Sequence, residues 1–202
     1  MQDLLDLVDY RRRVGVLYRL GGPDALQRWR AGRDELFRSH PQSPIEDRSS
    51  FRGLDYFDPD PACRVTARLE PAGGEELLID TGGDDGVISY CRAGELKFSL
   101  GGQDCSLLVL SLVAYGGGLF VPFKDATSGH ETYGGGRYLF DTAKNTDGLV
   151  LEITSGSAEV VIDFNFAYNP SCAYSPRWAC PLAPPENALP LAVRAGEKVF
   201  LP

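Results

Sequence analysis

Three stretches of this chain hold chemically capable side chains where a plain core strand needs none. They are FVPFKDATSGHETYGGGRYLF (residues 120–140), DFNFAYNPSCAYSPRWACPL (163–182) and PENALPLAVRAGEK (185–198). Buried polar groups need partners, and they gather where a protein binds something or fixes an unusual backbone. Arg137 is the natural counter-ion for Asp163 or Asp125, because a guanidinium fork matches a carboxylate through two hydrogen bonds. Two uses of such a set stand open. It is either an ion-pair network bracing loops at one end of the fold, or the lining of a cavity that meets a polar or anionic ligand.

Strand parity refines the candidates. In VVIDFNF, Val160, Ile162, Phe164 and Phe166 point one way, and Val161, Asp163 and Asn165 the other. In RYLFD, Arg137, Leu139 and Asp141 share a face opposite Tyr138 and Phe140. The loop 124–136 offers Asp125, Thr127, Ser128, His130, Glu131, Thr132 and Tyr133 before three glycines. It reads as a lid with a glycine hinge or, more plainly, as an Asx or Ser/Thr turn leading into a hairpin bend. The glycines are no phosphate loop, since no Lys-Ser/Thr follows and they open a strand. Asn165, Asn169 and Asn187 suit loop bracing as well as ligand contact. Asp84 and Asp85 in TGGDDG lack the spaced oxygen ligands of a calcium loop and read as a solvated turn.

Cys172 and Cys180 lie eight apart with no histidine close in sequence, which argues against zinc. The two thiols are expected to be small buried apolar groups, with a disulfide or an activated nucleophile as the alternatives. No metal and no cofactor is expected.

The elements that position these residues follow from periodicity. Leu4, Leu7, Val8, Val14, Leu17 and Tyr18 fall at helical spacing, and Gly21-Gly22-Pro23 stops that helix. A second helix begins near Pro23 and Asp24, with Leu26, Trp29, Leu36 and Phe37 inward and Arg28, Arg30, Arg33 and Asp34 outward. His40-Pro41 and Ser43-Pro44 end it. From Arg64 onward the period changes to two, and ten strand segments follow: 64–70, 76–81, 87–92, 95–100, 105–115, 119–122, 136–141, 149–154, 159–165 and 189–195. Short strands joined by TGGDDG, AGE, GGQD, YGGG and TSGSAE imply a mainly β (α+β) fold. The expected architecture is an antiparallel β-barrel or sandwich of about ten short strands with an N-terminal helical arm. Residues 1–45 form the arm and 46–202 the β domain.

The totals set bounds. At 202 residues and 43% hydrophobic the chain can build a real core, and 23 Gly with 14 Pro favour turns over long helices. A net charge of −8 argues against nucleic acid as a partner. The N-terminus carries acids before any apolar run and no stretch is long enough to span a bilayer, so no membrane partner is expected. Five cysteines are odd and sparse for a secreted scaffold, which points to reduced thiols and a cytoplasmic location. Oligomeric state is not readable.

PF-D-T-G-TY-GRYL (122–139), DFN-AYNP-CAYS-W-CPL (163–182) and P-EN-L-V-AGEK (185–198), in this order, resemble the bacterial and archaeal domain-of-unknown-function family 1684. The helix bearing Trp29 and Phe37 and the GLDYF segment (53–57) fit its layout. The motif positions are Asp125, Thr127, Thr132, Tyr133, Gly136, Arg137, Asp163, Asn165, Tyr168, Asn169, Cys172, Cys180, Glu186 and Asn187. The resemblance implies no activity to carry over.

The candidate ligand-binding residues are therefore Asp125, Thr127, Tyr133, Arg137, Asp163, Asn165, Asn169 and Asn187. The first expectation is a small polar or anionic ligand bound at one end of a β-barrel. The alternatives are a hydrolase-type enzyme using Asp125 or Asp163 as base with Arg137 stabilising negative charge, and a protein–protein interaction domain without a cavity.

Overall fold

A computed structural model describes residues 1–83, 86–113 and 116–201. The TGGDDG aspartates Asp84 and Asp85, and Tyr115 at the end of the expected 105–115 strand, lie outside the described residues.

Two helices lead the chain: α1 (Gln2–Leu17) and α2 (Ala25–Ser39). On α2, Trp29, Arg33, Leu36 and Phe37 are buried, at spacings of four, three and one that bring them to one face. Trp29 is fully buried and stands edge-on to Phe166 at 5.2 Å and Tyr18 at 5.6 Å. Burying a ring of this size contributes roughly 2–3 kcal/mol and anchors the arm to the β core. α1 is the poorer partner. Gly15 is its buried residue, and Leu4, Leu5, Leu7 and Val8 face solvent.

Among the described residues the β part is one antiparallel sheet of eight strands: β1 (Arg64–Pro71), β2 (Glu76–Asp80), β3 (Val87–Leu100), β4 (Gln103–Leu112), β5 (Leu119–Phe123), β6 (Arg137–Asp141), β7 (Leu151–Ile153) and β8 (Glu159–Asp163). Their order is β6-β5-β4-β3-β1-β8-β7, with β2 beside the first half of β3. Past β8, a single helical turn at Phe164–Phe166 carries the chain to Tyr168. Tyr168 then pairs with Tyr138 of β6 through two backbone bonds of 2.8 and 3.0 Å. The sheet thus curls into a half-barrel whose two sides meet at this one bridge.

The strand count differs from the sequence expectation in two places. Segments 87–92 and 95–100 are one strand, because Ala93-Gly94 makes a bulge and not a turn. The register on β4 shifts between Arg92 and Gly94, and β2 pairs below the bulge while β1 pairs above it. Gly94 is required by close approach, since a Cβ there would meet Leu69 Cδ1 at 2.8 Å and Glu70 O at 2.9 Å. Segment 189–195 is not a strand. Its carbonyls at Val193 and Ala195 are taken by the Arg137 guanidinium.

The last stretch of the chain forms a strap across the barrel. Asn187, fully buried, accepts from Leu108 N at 2.7 Å and donates to Leu108 O at 3.1 Å and Pro122 O at 2.7 Å, clamping the strap to β4 and β5. Lys198 N and Val199 N reach Asp55 O and Glu131 O. The core joins sheet residues such as Leu96, Leu107 and Phe123 to Tyr18 and Trp29 of the arm. Among the described residues no helix is long and apolar enough to cross a membrane.

Gly94→Val is expected to lower stability by about 1–3 kcal/mol through overpacking against the β1 backbone. Chemical denaturation read by circular dichroism measures it, and an unchanged midpoint would contradict the bulge geometry.

Candidate functional site

The polar residues singled out by sequence resolve into separate structural devices, and a cavity lies beside them. Arg137 enters β6 fully buried. Its guanidinium donates to Asp125 Oδ2 at 2.8 Å, Val193 O at 2.8 Å and Glu197 O at 3.3 Å, and also to Ala195 O. It stacks over the Phe123 ring at 5.1 Å. Burial pulls its pKa below the ordinary value and the facing Asp125 carboxylate opposes that pull. Asp125 in turn accepts from Thr127 N at 2.8 Å, Thr127 Oγ1 at 2.6 Å and Val193 N at 3.3 Å, and Thr127 Oγ1 meets Thr132 Oγ1 at 2.8 Å. The loop 124–136 is therefore an Asx turn tied to the strap.

Asp163 does not meet Arg137. It ends β8 and caps the following turn, accepting from Asn165 N at 2.9 Å and Asn165 Nδ2 at 2.8 Å. The strand parity that set Asp163 and Asn165 side by side stops at Asp163, because Phe164–Phe166 is helical. Burial raises the Asp163 carboxyl pKa, and the two Asn165 donors oppose the rise. Asn165 also grips Asp60, accepting from its N at 2.8 Å and donating to its O at 2.8 Å. Tyr133 donates to Cys172 Sγ at 3.7 Å, and burial pushes its phenol up to about 12. Asn169 Nδ2 donates to Lys198 O at 2.7 Å.

A second ion pair was not legible in the sequence. Arg33, expected on the outer face of α2, turns inward and meets Glu197 Oε2 at 2.7 Å, with the Glu197 side chain 1% exposed. An arginine reads as a surface residue by type, yet its place four after Trp29 and four before Phe37 already put it on the buried face. Glu197 accepts further from Asn169 N at 3.0 Å and from the Tyr174 hydroxyl. Arg33 donates to Tyr56 and Tyr174 oxygens at 3.2 Å each and lies 4.9 Å from the Trp29 ring. Burial raises the Glu197 carboxyl above the usual glutamate value, against the pull of Arg33, Tyr174 and Asn169. Gly196 allows this doubling of contacts: at φ +75° it turns the strap so tightly that a Cβ would lie 2.5 Å from Ala167 O. The Glu197 carbonyl then faces Arg137 while its carboxylate faces Arg33.

Between the arm and the half-barrel lies a cavity of about 380 Å³, within the usual range for small-molecule sites. Tyr10 and Val14 of α1 and Tyr18 just past its end line one side, and Arg33 and Phe37 of α2 the next. Tyr90, Phe120 and Tyr138 of the sheet face them, and the segment carrying Tyr168, Tyr174, Trp178 and Cys180 closes the rest. Exposed Arg11 and Ala143 mark its mouth. Among the described residues, two polar atoms on lining residues, Asn169 Oδ1 and Trp178 Nε1, are shielded from solvent and have no hydrogen-bond partner. Of the eight sequence candidates, Asn169 alone is among the lining residues; Asp125, Thr127, Tyr133, Arg137, Asp163, Asn165 and Asn187 lie elsewhere. Asp141 lines the wall and pairs with Lys144 at 3.0 Å. Among the described residues no group of three or more His, Cys, Asp or Glu is arranged to hold a metal ion.

Residues 49–198 match the family model described as "Protein of unknown function (DUF1684)". The chain belongs to this family. No curated protein matches it. Among solved structures, the solution NMR structure of an uncharacterized protein from Haloarcula marismortui is 40% identical, with a TM-score of 0.62, over 86% of this chain and 91% of that one. The family resemblance read from the three ordered motifs is thereby shown, together with the mainly β fold and its helical arm. Unknown function is what the family and this relative carry.

Arg137→Ala is expected to cost about 3–5 kcal/mol, because Asp125 stays buried without its counter-ion. A thermal melt reads this as a large fall in Tm; an unchanged Tm would mean that the charge sits there at no benefit to stability.

Proposed function

We propose that this protein is a small-molecule binding module whose ligand occupies the cavity between the helical arm and the half-barrel. The observation that carries this reading is the cavity itself, about 380 Å³ and walled by the rings of Tyr10, Tyr18, Tyr90, Phe120, Tyr138 and Trp178. The aromatic rings suit a flat, largely apolar body. Arg11 at the mouth favours an anionic substituent on that body.

Binding is favoured over hydrolysis by the state of the carboxylates. A general base must be free to take a proton. Asp125 is held by Arg137, Thr127 and Val193, and Asp163 by Asn165. Asp141, in the cavity wall, pairs with Lys144. The five unpaired thiols and the net charge of −8 support a cytoplasmic protein with no nucleic-acid partner.

The probe for this reading is 8-anilinonaphthalene-1-sulfonate, an aromatic anion with a donor N–H. Saturable one-site binding that quenches tryptophan emission is expected, since Trp178 lines the cavity. Val14→Phe, which extends a partly buried α1 side chain into the space, is expected to weaken binding about tenfold or more, that is by about 1.4 kcal/mol, with Tm retained. Equal affinity in Val14→Phe at unchanged Tm would place the dye elsewhere and sink the proposal.

A further inference from the structure

The cavity wall contains a thiol that the binding reading does not use, and a second thiol lies directly behind it. Cys172 and Cys180 sit in the irregular wrap after Tyr168, and the Cys172 backbone N–H donates to Cys180 Sγ at 3.4 Å. Cys180 lines the cavity and is 8% exposed. Cys172 receives a hydrogen bond from the Tyr133 hydroxyl at 3.7 Å on its other side. Both sulfurs are unpaired.

From this arrangement we propose that Cys180 is the peroxide-reactive thiol of the chain and that Cys172 resolves it as a disulfide. The oxidant is a hydroperoxide admitted through the cavity. The Cys180 thiolate attacks the terminal peroxide oxygen, the O–O bond breaks, and the alcohol or water leaves with a proton while Cys180 becomes a sulfenic acid. The Cys172 sulfur then attacks the Cys180 sulfur, the S–O bond breaks, and the thiol proton leaves with the hydroxyl as water. Two thiols lose two electrons in total and the peroxide gains them.

The neighbourhoods of the cysteines separate their reactivities. The Cys172 hydrogen bond, opposed by burial and helped by the Lys144 charge, lowers the Cys180 thiol, and the contact with Cys180 together with burial raises the Cys172 thiol. Asp141, Tyr133 and Tyr138 are the other ionisable groups nearby. Asp141 is paired with Lys144, and burial raises both phenols, so they stay neutral donors. Cys63 is pushed up to about 11 by burial and by Asp60, and burial also raises Cys105. Cys91, half-buried on β3, serves as the internal comparison.

The test is a peptide map of the native full chain after one equivalent of hydrogen peroxide, with remaining thiols alkylated. It needs neither ligand nor dye, so its outcome is separate from that of the binding experiment. A Cys172–Cys180 cross-linked peptide is expected, with Cys63, Cys91 and Cys105 alkylated. In Cys172→Ser, dimedone is expected to trap a sulfenic acid on Cys180, and Cys180 is expected to react about tenfold or more faster than Cys91. Oxidation that starts at Cys91, or peroxide consumption without the cross-link in wild-type protein, would overturn the assignment. The wild-type map decides the matter even if a serine variant fails to fold.

Discussion

Glu197 holds two buried arginines at once, and the arrangement of the molecule depends on that. Its carboxylate meets Arg33 of the helical arm, and its carbonyl meets Arg137 of β6, which is itself paired with Asp125. Two positive and two negative side chains are thus withdrawn from water together. A buried ion pair gains little over well-packed apolar residues, but losing one member leaves the other stranded at a cost of several kcal/mol. Such a set selects one arrangement strongly while adding modestly to stability. Arm, sheet and strap are therefore specified jointly, although they come from distant parts of the sequence.

This constraint also explains where the cavity lies. The arm touches the β core through Trp29 and Tyr18, and at Arg33 through an ion pair of fixed length. Between these contacts the helices stand off the sheet, and the rings of Tyr90, Phe120, Tyr138 and Tyr168 line the gap without filling it. Most tyrosines there have phenol pKa values raised by burial, so they act as neutral hydroxyls and not as charges.

Much of the fold could be read from the sequence because local signals and tertiary packing agree. The two helices, the glycine-proline stop between them and the alternation of Val65, Ala67 and Leu69 are examples. The reading failed where the third dimension supplied the partner. Ala93-Gly94 has the composition of a turn, but the neighbouring strand makes it a bulge. Residues 189–195 alternate like a strand, yet Arg137 claims their carbonyls. The polar motifs stand out in the sequence, but sequence order could not say that Asp163 caps a turn while Asp125 takes the arginine. The cavity was the least legible feature. Its aromatic residues come from α1, α2, three strands and the wrap, and share no spacing that a periodicity argument could detect. Cys180 stood out in the sequence, but its position in a cavity wall did not.

The pairing of Arg33 with Glu197 spans 164 residues of chain. A ribosome therefore releases the helical arm long before it makes the carboxylate that neutralises the arm's inward guanidinium. Until then α2 cannot close on the sheet without burying an uncompensated charge. The strap that carries Glu197 thus bears the charge that the arm needs before the two can pack together.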